Sequence, residues 1–184
     1  MNTLAISGSL RAASINSAFC RAAARLAPTS HQVTVFTDLG GLPLFNPDFE
    51  ANLPHSVQRF RAAVAAADAL IIASPEYAHG VSGAMKNALD WLVSFEGVVS
   101  KPIALVNTSP RARHAHETLR EILQTMSTDI VAQASVAIPL LGSCITEEAM
   151  VNSPQVRQAI QGCLGALADH LAGSGAHGPS FPLA

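Results

Sequence analysis

Apolar residues in this chain follow two rhythms. Thr3–Ile6 and Ala69–Ala73 are short, nearly continuous apolar runs of the kind that strands buried in a parallel sheet require. Val33 and Val35 alternate with polar neighbours over Gln32–Thr37, which predicts an edge strand with one covered face. Two more strands are predicted at Ile103–Asn107 and Ser135–Ile138. Between the strands the period changes. Phe19, Ala23 and Leu26, then Val57, Phe60, Val64 and Ala67, recur at helical spacing. So do Met85, Leu89 and Leu92; Leu119, Ile122, Leu123 and Met126; and Val156, Ile160, Leu164, Leu167 and Leu171. Ser14 and Ser82 are suited to cap helix starts, Pro54 suits a first turn, and Ser153-Pro154 is a strong helix start. Five strands alternating with five helices predict an α/β fold. Its centre is an open parallel sheet covered on both faces.

The connections divide into two kinds. Asp38–Leu53 and Pro139–Asn152 are long and irregular. The first carries Leu42, Leu44, Phe45 and Phe49, so it either folds onto its own domain or meets another subunit. The loops after the first, third and fourth strands are polar and bear glycine or proline. In doubly wound sheets, ligands bind beyond the C-terminal strand ends, where the strand order reverses. With the order 2-1-3-4-5 these three loops share that edge. Gly80 and Gly83 are expected to make the sharp turn after the third strand.

The first loop is the richest in chemistry. Gly8 permits a close backbone approach, and Ser7, Ser9, Arg11, Ser14 and Asn16 stand around the start of the first helix. Short hydroxyl and amide side chains, one guanidinium and the free N–H groups of a helix N-terminus are what a phosphate monoester needs. The patterns for a triphosphate with magnesium and for a dinucleotide are both absent. On these residues alone, a solvated polar turn with no ligand stays open.

Composition narrows the class. The 184 residues suit one domain, read as 1–172 with a Gly/Pro-rich tail at 173–184. Hydrophobic residues make up 49% and charged residues 13%, enough for a sizeable core. A net charge of −2 gives no nucleic-acid footprint, and no apolar run is long enough to span a membrane. Cys20, Cys144 and Cys163 are odd in number and show no C-x-x-C pairing, so a reduced, cytoplasmic setting is the expectation. Cys20 and Cys163 fall in helical patterns and read as small core residues, whereas Cys144 lies in a loop.

Several stretches together resemble the NAD(P)H-dependent FMN reductase family, which includes bacterial quinone, chromate and azo-dye reductases. They are Gly8-Ser9-Leu10-Arg11 with Ser14 and Asn16; Leu42-Pro43-Leu44-Phe45; Ser74-Pro75-Glu76-Tyr77; Gly83 with Lys86-Asn87-Ala88-Leu89-Asp90-Trp91; and Leu119-Arg120 with Leu123. The resemblance implies a flavodoxin-like fold, bound FMN, and assembly as a homodimer or homotetramer. It also implies electron transfer from NAD(P)H to a quinone, free flavin, azo compound or oxyanion such as chromate. By the same resemblance Ser9, Arg11, Ser14 and Asn16 hold the FMN phosphate. Pro75, Glu76, Tyr77 and Ala78 lie along the isoalloxazine, and Ser109 approaches it from the other side. The chain departs from the family at Ala78, where Asn is common. It departs again at Ser109-Pro110-Arg111-Ala112-Arg113-His114-Ala115-His116, where the family is often glycine-rich.

Flavin performs the redox step itself, so no side chain is assigned as catalytic. Glu76 either belongs to the flavin site, pairs with Lys86 or caps a turn, and Tyr77 belongs to the flavin site or the core. Asp90 and Trp91 read as helix packing and capping, and His79 as solvent-facing. His114 and His116 have no third ligand nearby to make a metal site. Arg111 and Arg113 oppose the dipole of the fourth helix at a cost of ~0.3–1 kcal/mol each. An anion such as the 2′-phosphate or pyrophosphate of NADPH offsets that cost; the alternative is solvated arginines held by Glu117 or Glu121. The rival to a reductase is a flavodoxin-like electron carrier or sensor. Carriers of that kind tend to be strongly acidic, and this chain is not.

Overall fold

The computed structural model describes residues 1–109, 113–138, 140 and 145–174. Its centre is a five-stranded parallel sheet built from β1 (Asn2–Ser7), β2 (Gln32–Phe36), β3 (Ala69–Ala73), β6 (Pro102–Val106) and β7 (Asp129–Ile130). The order is β2-β1-β3-β6-β7, which is the 2-1-3-4-5 order of the flavodoxin-like fold read from the sequence. Register runs Thr3 against Ala69 and Leu70 against Ile103.

Side-chain alternation along the strands divides the core in two. Ala5, Ile71, Ala73, Ala104 and Val106 face α1 (Ile15–Leu26) and α6 (Pro154–Ser174), meeting Phe19, Ala22, Ala23, Ile160 and Leu164. Leu4, Ile6, Leu70, Ile72, Ile103 and Leu105 face the other way. They meet Val57, Phe60 and Val64 of α2 (His55–Ala66), Met85 and Leu89 of α3 (Gly83–Asp90), and Leu119 and Leu123 of α4 (Arg113–Thr125). Alanines on β1, β3 and β6 opposite Ala18, Ala22 and Ala23 let α1 lie close to the sheet. The helical stripes read in the sequence are the buried faces.

The structure departs from that reading in three places. The fifth strand is broken. Its paired segment is Asp129–Ile130, and the predicted Ser135–Ile138 supplies one parallel bridge, Ala137 to Asn107. In the gap, the Ser135 hydroxyl accepts the Leu105 N–H at 3.1 Å and donates to the Val131 carbonyl at 2.9 Å. A side chain thus fills the place of missing ladder groups. The second long connection contains a further helix, α5 (Glu147–Asn152), capped by Thr146 and tied to α1 by Arg21–Glu147 and Arg25–Glu148 ion pairs. A two-stranded hairpin, β4 (Glu76–Tyr77) with β5 (Gly80–Val81), follows β3. Its turn is made by Ala78 and His79, at φ 49° and 59°, and not by the two glycines. Helix α6 ends at Ser174, and the rest of the tail read from the sequence lies outside the described residues.

The first long loop folds onto its own domain. Leu39 and Leu42 are buried, and the Pro43 carbonyl accepts both the Asn87 amide (2.9 Å) and the Trp91 indole N–H (2.8 Å). Phe45 lies edge-on to Trp91 at 5.0 Å. Leu44, by contrast, is 83% exposed. Trp91 is therefore a packing residue, and Asp90 pairs with Lys86 at 2.6 Å. Cys20 and Cys163 are buried, and burial pushes both thiols up to about 12. Cys144 lies outside the described residues.

Candidate functional site

Loops after β1, β3 and β6 meet at one sheet edge because these three strands are adjacent and parallel. Two bonds lock the loop after β1 to β3 and to the segment that follows it. The Gly8 N–H donates to the Ala73 carbonyl at 2.8 Å, and the Ser82 hydroxyl donates to the Gly8 carbonyl at 2.6 Å. A Cβ on Gly8 would fall 2.5 Å from Ser74 Oγ and 2.9 Å from Ser82 Oγ, so this crossing needs glycine. Ser82 also accepts the Met85 N–H, which caps α3.

Between the loops lies a cleft of about 480 Å³, within the roughly 300–1,000 Å³ of small-molecule sites. Ser9, Arg11, Ser14 and Asn16 line it, together with Pro75, Glu76, Tyr77 and Ser109. Ala78 is placed differently: it stands exposed in the hairpin turn, outside the cleft lining.

The donor set at the α1 end is suited to a phosphate. Ser14 Oγ accepts the Ser17 N–H at 3.1 Å, the N-cap expected from the sequence. The N–H groups of Ile15 and Asn16 meet no acceptor among the described residues. Thr108 donates its hydroxyl to Asn16 Oδ1 at 2.9 Å, and the Asn16 amide N–H groups have no partner among the described residues. Arg11 is exposed and makes no ion pair among them either. Helix N–H groups, a guanidinium and an oriented amide converge on one cleft, which is the chemistry that a phosphate monoester dianion selects. The residues present therefore fit the phosphate of a flavin mononucleotide.

The opposite wall comes from β4 and its turn. Tyr77 is 55% exposed, which excludes core packing. Glu76 does not pair with Lys86; its Oε2 accepts the Ala115 N–H in the first turn of α4 at 2.9 Å. The His79 ring, exposed as expected, stacks on His114 of α4 with centroids 4.6 Å apart. His116 is half-buried, and burial, with Arg120 nearby, holds its imidazole below the usual range. Arg113 is exposed and pairs with neither Glu117 nor Glu121; Arg111 lies outside the described residues.

Sequence reasoning missed Thr108, Ser17 and Ile145. Thr108 orients Asn16. Ser17 shares a 2.9 Å hydroxyl contact with Ser7 and donates to the Ser9 carbonyl at 3.4 Å, fixing the loop from below. The polar helix-start composition was a usable signal for Ser17. Ile145 lines the cleft from just before α5, a helix with no visible signature in the sequence.

Comparison with known proteins bears on the family and the fold. Residues 1–140 match the family described as NADPH-dependent FMN reductase. The chain is 34% identical to an NAD(P)H-dependent FMN reductase of Pseudomonas aeruginosa over 176 residues, covering 91% of this chain and 93% of the other. It is 40% identical to a 2-hydroxy-1,4-benzoquinone reductase of Burkholderia sp over 105 residues, 55% of this chain and 57% of that one. Among solved structures it is similar to FerB, a flavoenzyme NAD(P)H:(acceptor) oxidoreductase from Paracoccus denitrificans. The TM-score is 0.82 and the identity 26%, over 94% of this chain and 97% of FerB.

Proposed function

The chain belongs to the NADPH-dependent FMN reductase family, and on that premise we propose that it is an FMN-dependent oxidoreductase delivering electrons from NADPH to a quinone. One observation carries the reading: the phosphate-suited donors Ser9, Arg11, Ser14 and Asn16 line the same cleft as the Pro75–Tyr77 and Ser109 walls. A cleft with donors for a phosphate at the helix start and with Pro75, Glu76 and Tyr77 along its side suits a phosphorylated planar ring.

The protein's own part is to hold and orient. Arg11 and the α1 N–H groups take the phosphate charge, with Asn16 fixed by Thr108. The Pro75–Tyr77 segment forms one edge of the cleft, and Ser109, whose N–H donates to the Asn107 amide oxygen at 3.0 Å, also lines it. When bound, FMN supplies the hydride-accepting and electron-donating chemistry, so none of these side chains need act as acid or base. Arg113, unpaired with the neighbouring carboxylates, provides a cation for the 2′-phosphate of NADPH. Quinone as acceptor is supported by the similarity to the Burkholderia reductase named for a benzoquinone. Nicotinamide and quinone are taken to use one open side of the cleft in turn.

The test is steady-state kinetics with NADPH and 1,4-benzoquinone, with and without FMN. The expected result is FMN-dependent quinone reduction with parallel double-reciprocal lines. Reduction of free flavin without reduction of quinone would overturn the choice of acceptor, and intersecting lines would overturn the shared side.

A further inference from the structure

We propose that Glu76 is a positioning residue, which fixes the cleft-lining hairpin by anchoring it to the start of α4; this rests on the flavin-site reading above. The hairpin turn places two non-glycine residues in the left-handed region, Ala78 at φ 49° and His79 at φ 59°. Positive φ at both central residues is the geometry of a tight two-residue hairpin, ordinarily given to Asn and Gly. An L side chain resists it, so such a turn persists only where its surroundings over-determine it. This hairpin has two such restraints, and both lead to α4. The Glu76 carboxylate accepts the Ala115 N–H, where the positive end of the helix dipole favours a negative charge. The His79 ring stacks on His114, one residue earlier in the same turn of the helix.

Glu76 is well placed for this. It sits between Pro75 and Tyr77, which line the cleft with it, and it is paired through β4 with Val81 of β5. Its carboxylate is bonded to helix α4, and the residue stands in the wall of the site. Loss of that bond releases the strained turn and with it the Pro75–Tyr77 backbone. The side chain thus acts on a bound flavin through the position of its neighbours.

The experiment compares Glu76→Ala and Glu76→Gln in the wild-type background and in an Ala78→Gly background. Glycine at 78 removes one of the two φ penalties, so the turn depends less on the anchor. Two readouts are used: amide hydrogen exchange at Ala115 and Tyr77 in the cofactor-free protein, and FMN affinity with the bound-flavin absorbance spectrum. Glu76→Ala is expected to speed exchange at both amides and to weaken FMN about tenfold, the scale of one charge-assisted hydrogen bond. Glu76→Gln, which keeps an acceptor oxygen, is expected to recover most of both. In the Ala78→Gly background the effect of Glu76→Ala on FMN should shrink to about two- to threefold. An equal loss of FMN affinity in both backgrounds, with exchange unchanged, would overturn the proposal in favour of direct contact. If Glu76→Ala does not fold, Glu76→Gln alone decides: unchanged exchange at Ala115 together with full loss of FMN binding rejects the positioning role. A wild-type protein that binds no FMN, yet shows the exchange effect, would reject the flavin reading and leave the anchor standing.

Discussion

The hydroxyl of Ser82 donates to the carbonyl of Gly8 across 74 positions of sequence, at 2.6 Å. That one bond fastens the loop after β1 to the start of α3, and so sets the spacing between the two sides of the cleft. The same oxygen caps α3 through Met85. Replacing Ser82 by Ala is expected to cost roughly 2 kcal/mol, since it removes a helix cap and leaves a buried carbonyl without its donor. Urea unfolding measures this; a midpoint equal to that of the wild type would contradict the role given to the bond.

Gly8→Ala tests the same crossing from the other side. The added methyl meets Ser74 Oγ and Ser82 Oγ at less than contact distance, so the two loops must part. A loss of ~1–3 kcal/mol is expected for overpacking at a tight site, together with weaker FMN binding. Fluorescence quenching of titrated FMN reads the second effect.

Arg11, which makes no ion pair among the described residues, is the cation proposed for the FMN phosphate. Arg11→Ala is expected to weaken FMN by about tenfold to a hundredfold, which corresponds to roughly 1.5–3 kcal/mol for a hydrogen bond to a charged group. Arg11→Lys should restore only part, because a point charge replaces a planar fork. Riboflavin, which lacks the phosphate, should bind Arg11→Ala and wild type alike.

Most of this architecture can be read from the residues. The apolar runs at Leu4–Ile6 and Ala69–Ala73 are buried strands, and the helical stripes face the sheet, because burial on both faces leaves few alternatives. The geometry of the first loop was legible too: Ser14 caps α1, and Ser9, Arg11 and Asn16 line the cleft beside it. What escaped depends on tertiary context. Ala78 and His79 adopt positive φ where composition pointed to Gly80 and Gly83, because pairing of Glu76 with Val81 puts the turn two residues earlier. The break after Ile130 is patched by the Ser135 hydroxyl, a substitution of side chain for backbone that no periodicity encodes. Helix α5 is short and is seated by the buried Met150 and by ion pairs with arginines of α1.

His31 gives the fold an acid sensitivity. It is buried and contacts the Thr3 hydroxyl at 2.8 Å through Nε2. Burial, and then the N-terminal ammonium, hold its imidazole below the usual range, with Asp68 opposing. Below about pH 6.5 the unfolded chain takes up protons that folded His31 resists. Stability is therefore complete above that pH and falls as pH drops toward the lowered folded value; His116 contributes in the same direction. Melting temperatures from pH 7.5 down to pH 5 should decline, and His31→Gln should decline less. An equal slope in the variant would contradict the assignment.

Cys20 and Cys163 should be silent toward thiol reagents in the folded protein, since burial withholds both access and thiolate. Labelling at pH 8 should reach them only after unfolding in guanidinium. Rapid native labelling of either, located by mass spectrometry, would contradict the packing of α1 and α6 against the sheet.

Arg113→Ala is expected to raise KM for NADPH severalfold while leaving KM for NADH unchanged, because the exposed guanidinium, unpaired with Glu117 and Glu121, is assigned to the 2′-phosphate. Equal changes with both nucleotides would remove that assignment.

The most direct measurement is the visible spectrum of the FMN-loaded protein under anaerobic conditions, before and after NADPH, and again after a quinone. Rapid loss of the flavin band near one equivalent of NADPH, and its return on adding 1,4-benzoquinone, is the predicted result. A flavin band that NADPH leaves untouched, or a protein that takes up no FMN at all, would contradict the account at its centre.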